Sequence, residues 1–317
     1  MSVASPLVQK FTLAMTVSLT VAACSRSTPQ AAHHEEPDSS VSAAPSATAL
    51  PSTQAAAVSH WKVSPPGPMV RIKGGTFRMG SDGVGFDGAE YMGPSHFVKV
   101  ASFRIDITEV TIAAYRACLD AGACTKPRET RHKPGMWDQG CPWTYDNVDD
   151  YPASCVTWSQ ADSYCRWAEK VLPTEEMWEY AARGKVGRDF PWGWTVHGND
   201  WGRPDDLEER IYGHDSCRYH GSDPNIWDAS CPVGSAPRGA TPEGVQDMAG
   251  NVAEWTSSIA CSYKEPSCAA TARTTKGYWN SNAKLNQSVE RGAREPDNSD
   301  THVGFRCAQR LEDAKAP

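Results

Sequence analysis

Apolar and polar residues alternate along two stretches in the first half of the chain. One stretch covers residues 68–81 and contains the pair Gly74 and Gly75, and the other covers residues 96–107. A period of two residues is typical of a β-strand with one buried face, and a Gly-Gly break favours a hairpin or a bulged strand. The pattern therefore predicts two N-terminal strands.

Three later segments have the spacing of amphipathic helices. The first begins at Thr111 and ends at Gly122, the second covers residues 159–170, and the third begins at Thr174 and ends at Gly184. Threonine caps the free N–H groups of a helix start, and glycine adopts the left-handed conformation that ends many helices. The chain beyond Gly184 has no helical period and is rich in Gly, Pro, Asn and Trp. We therefore predict an α+β fold with few helices and many loops.

The N-terminal region is predicted to be an export signal. Residues 1–23 contain no acidic side chain, and the apolar run 11–23 is too short to span a bilayer as a folded helix. Small residues precede Cys24 in the sequence VAAC, which resembles the lipobox of bacterial lipoproteins. Cleavage there would leave Cys24 as the lipid-bearing N-terminus. The alternative is an ordinary secretory signal with an incidental cysteine.

Composition divides the rest of the chain. Residues 24–62 are mostly Ala, Ser, Pro and Thr, and such a segment cannot bury enough apolar surface to offset its loss of entropy on ordering. We expect a disordered linker there, a globular domain over residues 63–312, and a short tail over residues 313–317. The net charge is −7, and no cluster of Lys and Arg stands out along the sequence, which argues against nucleic acid as a partner.

The chain has eleven cysteines, and removing the lipidated Cys24 leaves ten. An exported protein meets an oxidising compartment, so an even number favours disulfides. Short separations favour Cys118 with Cys124, Cys141 with Cys155, Cys217 with Cys231, and Cys261 with Cys268, which leaves Cys165 and Cys307. The connectivity itself stays open at this point.

Six segments in order resemble the formylglycine-generating enzyme family, also called sulfatase-modifying factors. They are RIKGGTFRMGS at 71–81, TEVT at 108–111, LPTEEMWEYAARG at 172–184, PWG at 191–193, DMAGNVAEW at 247–255 and GFRC at 304–307. The resemblance implies a C-type-lectin-like fold with mixed sheets, few helices and long loops around bound calcium. It also implies a disulfide between Cys165 and Cys307.

The resemblance places the copper-binding positions of the family's oxidases on Ser281 and Asn286. Those oxidases hold copper through two cysteine thiolates, and soft thiolates suit Cu(I), whereas serine and asparagine offer neutral oxygen donors. Copper is therefore not expected. Cys261 and Cys268 are the nearest other cysteines, and a small disulfide loop fits them better than a copper pair. A second family disulfide is missing, because its two positions carry Ala182 and Arg291.

The DMAGNVAEW segment matches the family's calcium ligands. They fall on Asp247 and Glu254 through carboxylates, and on Gly250 and Val252 through main-chain carbonyls. Hard oxygen donors suit Ca²⁺, so we predict a structural calcium ion. A turn capped by the two acidic side chains is the alternative.

The leading interpretation is a lipoprotein of the bacterial cell envelope, anchored to a membrane and facing the periplasm or the exterior. Its domain would act as a non-catalytic binding or accessory module for an exported protein, a peptide or a glycan. The alternative is an enzyme of the family that oxidises a protein cysteine or another substrate by a variant mechanism. The residues expected to line a shallow ligand groove are Tyr278, Trp279, Ser281, Asn286, Arg291 and Arg294. A core or salt-bridge role is the alternative for Trp279 and Arg294.

Overall fold

The computed structural model describes residues 66–82, 92–127, 141–144, 147–194, 230–277 and 287–311. All of them lie within one compact unit, His60–Pro317. The other unit, Met1–Ser59, lies outside the described residues, as do the lipobox, the predicted linker and the predicted tail. None of the helices in the described ranges has the length and apolar character needed to cross a membrane.

The N-terminal half of the domain begins with a long antiparallel ribbon. Its strands are β1 (Met69–Ile72), β2 (Gly75–Met79), β3 (His96–Val100) and β4 (Phe103–Asp106). β1 pairs with β4 and β2 pairs with β3, and both pairs keep the same register. Each of the two predicted strands is therefore divided in two at the Gly-Gly break. A Cβ on Gly74 would lie 2.5 Å from the Val100 carbonyl oxygen, so this close approach requires glycine.

Five further strands complete two sheets. They are β5 (Ala253–Ile259), β6 (Arg273–Lys276), β7 (Arg291–Arg294), β8 (Val303–Gly304) and β9 (Ala308–Arg310). β9 extends the ribbon in the order β1-β4-β9, and the other four form a sheet in the order β7-β6-β5-β8. β5 and β8 run parallel, whereas the remaining neighbours are antiparallel, so the second sheet is mixed.

Three α-helices begin at threonine caps. They are α1 (Ile112–Asp120), α2 (Trp158–Trp167) and α3 (Glu175–Arg183), and short 3-10 helices cover Pro142–Thr144 and Pro237–Gly239. The predicted bounds hold for α1 and α3, but α2 lies earlier than the predicted 159–170. The reason is a capping box between Thr157 and Gln160 at its start, together with a left-handed Glu169 (φ 58°) just after its end.

Two buried clusters form the core. The first packs α1 and α2 against β5 and contains Tyr115, Tyr164, Trp255 and Phe305. The second packs α3 against the ribbon and contains Phe77, Ile105, Trp178 and Met248. Aromatic rings supply much of the buried area in both clusters. The predicted α+β, loop-rich class is confirmed.

Four disulfides connect the described parts of the chain. They join Cys118 to Cys124, Cys141 to Cys155, Cys165 to Cys307, and Cys261 to Cys268. These are pairings that the short separations and the leftover pair favoured. Cys231 is also disulfide-bonded, and Cys217, its predicted partner, lies outside the described residues.

Candidate functional site

The DMAGNVAEW segment forms a tight loop that leads into β5. Asp247, Gly250 and Asn251 all have positive φ, at 57°, 121° and 64°. The Asn251 side-chain oxygen accepts from the Cys231 N–H at 2.7 Å, and the Gly250 N–H donates to the Gly277 carbonyl at 3.1 Å. The loop is therefore held by contacts to two distant segments, and its predicted metal-binding residues are buried.

Glu254 is fully buried and binds Arg306. Its Oε2 accepts from the Arg306 Nε at 2.7 Å and from the Trp178 Nε1 at 2.8 Å, and its Oε1 accepts from a terminal guanidinium nitrogen of Arg306 at 2.7 Å. A carboxylate has about four lone-pair sites, and protein donors occupy three of these. Arg306 and Trp178 therefore occupy most of the oxygen lone pairs with which Glu254 was predicted to bind calcium.

A second buried carboxyl group, Glu109, lies beside Asp247. Glu109 is 2% exposed, and neither of its carboxylate oxygens has a hydrogen-bond donor in the part of the chain that the structure describes. Burial, followed by the negative charge of Asp247, raises the pKa of Glu109 well above its ordinary value. Burial also raises the pKa of Asp247, although its carboxylate accepts from the Gly234 N–H at 2.6 Å.

These groups carry more negative than positive charge. Three carboxylates, those of Glu109, Asp247 and Glu254, surround the single guanidinium of Arg306, which leaves an excess of two negative charges when all are ionised. Buried polar groups are normally satisfied, so an orphaned carboxylate in such a cluster fits a divalent cation with hard oxygen ligands. Among the described residues, no group of three or more His, Cys, Asp and Glu side chains is arranged to hold a metal ion. A calcium ion here would therefore depend on two carboxylates together with main-chain carbonyls.

Sequence reasoning did not identify Glu109 as part of this cluster. The residue stands within the TEVT motif, where an acidic side chain is surrounded by Ile107, Val110 and Ile112. An acidic residue in an apolar run is a signal that could have marked it, since buried carboxylates require a partner.

A small hollow lies between the end of β5 and strand β7. Its volume is about 330 Å³, and its walls come from Ala260, Cys261, Ser262, Arg291, Gly292 and Ala293. This volume is at the lower end of the range for small-molecule pockets. The hollow is next to the Cys261–Cys268 disulfide, whose short loop forms part of its wall.

Arg291 is held in place by four partners. Its guanidinium donates to Glu175 at 2.7 Å, to the Cys261 carbonyl at 2.8 Å and to the Thr274 hydroxyl at 3.2 Å, and it lies 4.5 Å from the Tyr263 ring centre. Glu175 is in the first turn of α3. Arg291 therefore joins β7 to the helix that carries Ala182, the position of the missing family disulfide.

The other predicted groove residues are distributed differently. Arg294 forms an ion pair with Asp300 at 2.7 Å. This contact matches the alternative role in a salt bridge that the sequence offered for Arg294. The remaining groove residues Tyr278, Trp279, Ser281 and Asn286, like the lipidation site Cys24, lie outside the described residues.

Comparison with known proteins places this geometry in a family. Residues 54–311 match the model of the sulfatase-modifying factor enzyme 1-like domain. The inactive C-alpha-formylglycine-generating enzyme 2 of Bos taurus is 27% identical over 290 residues, covering 76% of this chain and 87% of that protein. The formylglycine-generating enzyme of Streptomyces coelicolor is 30% identical over 299 residues, covering 75% and 88%.

A solved structure, that of PvdO from Pseudomonas aeruginosa, has the same fold. It superposes with a TM-score of 0.60 at 25% identity and covers 77% of this chain and 94% of PvdO. The family match covers both sheets, all three helices, the carboxylate cluster and the cavity. The chain therefore belongs to the sulfatase-modifying factor, or formylglycine-generating enzyme, family.

Proposed function

We propose that this chain is a lipid-anchored protein of the bacterial cell envelope whose family domain binds a ligand and does not oxidise cysteine. The observation that carries the proposal is the state of its sulfur atoms. All nine cysteines in the described part of the chain are in disulfides. A disulfide sulfur is not a thiolate, and thiolates are the ligands that Cu(I) chemistry requires in this family.

The cysteines that offered an alternative copper site are part of this observation. Cys261 and Cys268 are joined to each other, so they would bind copper only after reduction. The aligned copper positions themselves carry Ser281 and Asn286. Both routes to a copper thiolate centre are therefore unfavourable in an oxidising compartment.

Family membership alone leaves the activity open. One relative is named as a formylglycine-generating enzyme and another as an inactive one, and their identities to this chain are similar, at 30% and 27%. One fold often carries several functions, so the argument must rest on the residues of the site.

The ligand we propose is an exported protein, a peptide or a glycan. The cavity beside Arg291 supports a protein or peptide ligand, since its walls are mainly apolar and a small apolar pocket suits an apolar side chain. The ion pair of Arg291 with Glu175 and its hydrogen bonds to Cys261 and Thr274 hold this wall in one conformation, which lowers the entropy cost of binding.

Calcium is proposed as a structural ion at the carboxylate cluster. Of the predicted ligands, Asp247 would supply carboxylate oxygens, and Gly250 and Val252 would supply carbonyl oxygens. Glu109 would take the place of the predicted Glu254, whose oxygens accept from Arg306 and Trp178. The support is the contact between the two buried carboxyl groups of Glu109 and Asp247, together with the excess negative charge around Arg306. The ion would hold the irregular loop before β5, and no chemical step is assigned to it.

The test of the catalytic proposal is an oxidation assay. The purified protein is incubated with Cu(I), oxygen and a peptide that carries the CxPxR sulfatase motif, and mass spectrometry measures conversion of cysteine to an aldehyde. We expect no product above the no-protein control, while the Streptomyces coelicolor enzyme serves as the positive control. Turnover that disappears in a Cys261→Ala/Cys268→Ala variant would overturn the proposal and identify that pair as the copper ligands.

A further inference from the structure

The outer face of the sheet β1-β4-β9 carries two arginines in opposite positions. Arg71 on β1 lies directly opposite Arg104 on β4, and Arg104 lies opposite Gln309 on β9. Opposite residues in an antiparallel sheet share one face, and their Cβ atoms are about 4.5–5.5 Å apart. The three side chains therefore form one row across the sheet.

Strand alternation keeps this row away from the core. Successive residues of a strand point to opposite faces of a sheet. The neighbours of the row along the three strands belong to a buried cluster, and they include Ile72, Phe103, Ile105 and Ala308. Arg71 and Arg104 are exposed and Gln309 is half-buried, so the row is open to a ligand.

Neither arginine has an anionic partner in the described part of the chain. No ion pair or side-chain hydrogen bond joins Arg71 or Arg104 to another described residue. Like charges in opposite positions destabilise a sheet. The pair therefore leaves a repulsion that a bound anion would relieve.

The acidic residue of β4 is bound elsewhere. Asp106 comes two residues after Arg104 and so belongs to the same face of the strand. Its carboxylate accepts from the Lys170 Nζ and, at 2.9 Å, from the Cys307 N–H. The positive charges that act on Asp106 are those of Lys170 and Arg306. Asp106 therefore does not neutralise the arginine pair.

We propose that Arg71 and Arg104, together with the Gln309 side-chain amide, bind a tetrahedral oxyanion, the phosphoryl or sulfo group of a ligand. A guanidinium offers a planar fork of N–H donors that fits two oxygens of such a group. Two opposed forks can hold one anion from both sides, and the amide adds a further N–H donor. The row shares no residue with the walls of the cavity beside Arg291, so this inference goes beyond the proposed function.

The experiment titrates the full chain with inorganic phosphate and, separately, with inorganic sulfate. Chloride keeps the ionic strength constant, so that general screening does not change during the titration. Isothermal titration calorimetry measures the Kd. We expect saturable binding of one anion per chain, and the anion that binds more tightly identifies which group, phosphoryl or sulfo, the site favours.

Substitutions locate the site. Arg71→Gln and Arg104→Gln should each weaken binding about tenfold or more, because each removes hydrogen bonds to a charged group. Arg71→Lys keeps the charge but loses the planar fork, so it should also bind more weakly than the wild type. Lys99→Gln and Lys185→Gln remove exposed charges outside the row and should change the Kd little.

Melting curves give a second readout with a distinctive sign. Without phosphate, Arg71→Gln should melt at a higher temperature than the wild type, because it removes the repulsion from Arg104. Phosphate should raise the melting temperature of the wild type, since it binds the folded state, and should not raise that of Arg71→Gln/Arg104→Gln.

Three results would overturn the proposal. They are the lack of saturable binding by both anions, equal weakening by Lys99→Gln and Arg71→Gln, and wild-type affinity in Arg71→Lys. None of them bears on the oxidation assay, so this inference and the proposed function fail independently.

Discussion

Fully buried charges in this domain differ in whether they have a partner. Glu254 and Arg306 are both fully buried and form two short hydrogen bonds with each other. Glu109 is equally enclosed but has no donor within the described residues. A buried pair with good geometry recovers its desolvation cost, whereas an unpaired carboxylate does not. The carboxylate of Glu109 is therefore the group that a bound cation would stabilise.

The first prediction concerns Glu109 and calcium. A chelator should lower the melting temperature and added calcium should restore it, because an ion that binds only the folded state stabilises that state. Glu109→Gln should abolish this response, whereas Glu265→Gln, at an exposed position, should preserve it. An unchanged melting curve in chelator, with no calcium found by elemental analysis, would contradict the calcium site.

The pH dependence in chelator gives an independent measurement. Burial raises the folded-state pKa of Glu109 above its ordinary value of 4.5, so the unfolded chain binds fewer protons than the folded one between those values. The contribution of Glu109 to the free energy of unfolding should therefore fall as pH rises above about 4.5. Glu109→Gln should lose less over the same interval.

Arg291 provides the second prediction, with Arg294 as its matched control. Arg291 and Glu175 are 6% and 4% exposed at their side chains, so Arg291→Ala leaves a buried charge unpaired. The expected loss is about 3–5 kcal/mol in the free energy of unfolding. Arg294 and Asp300 are 21% and 29% exposed, and Arg294→Ala should cost about 0–1 kcal/mol. Denaturant titration measures both, and equal losses would contradict the structural role of Arg291.

At the scale of elements, local chemistry placed the helices. Thr111 and Thr174 cap α1 and α3 through their hydroxyl groups, as their positions before apolar runs predict. The start of α2 depended on a capping box at Thr157 that the periodicity did not reveal. Sheet pairing was harder to predict, since β9 pairs with β4 and β8 pairs with β5 across long separations in the chain, such as Phe103 with Arg310 and Ala253 with Val303.

The third prediction compares two disulfides that join elements. Cys165–Cys307 ties α2 to the chain before β9 across 142 residues, whereas Cys118–Cys124 closes 6 residues. In the chain-entropy model, replacing the first pair by alanine should cost about 5 kcal/mol and replacing the second about 2 kcal/mol. Non-reducing peptide mapping establishes the pairs, and denaturant titration measures the losses. An alkylated Cys165 peptide in the native protein would contradict the long bridge.

At the scale of the whole molecule, the proposed anchor would hold the domain at a membrane, because two acyl chains give stable attachment.

The fourth prediction concerns Cys24. The wild-type chain should sediment with membranes after a high-salt wash, because acyl chains are not screened by salt. Cys24→Ala should be released by that wash. Persistent membrane attachment of Cys24→Ala in high salt would contradict the lipid anchor.

The sequence by itself determined the local features of this protein. Helix caps, strand alternation, cysteine separations and six ordered motifs were sufficient for the α+β class and the family, because each depends on neighbouring residues or short spacing. Asp247 and Glu254 were recognised in the same way from a single segment.

Only the tertiary structure decided which charges meet. Glu109 comes to lie beside Asp247, Arg306 reaches Glu254 52 residues away, and Arg291 reaches Glu175 116 residues away. Arg71 likewise comes to lie opposite Arg104 only through the register of β1 and β4. The physical reason is that burial and Coulomb interactions depend on distance in space, and the chain brings these residues together through pairings that no local pattern specifies.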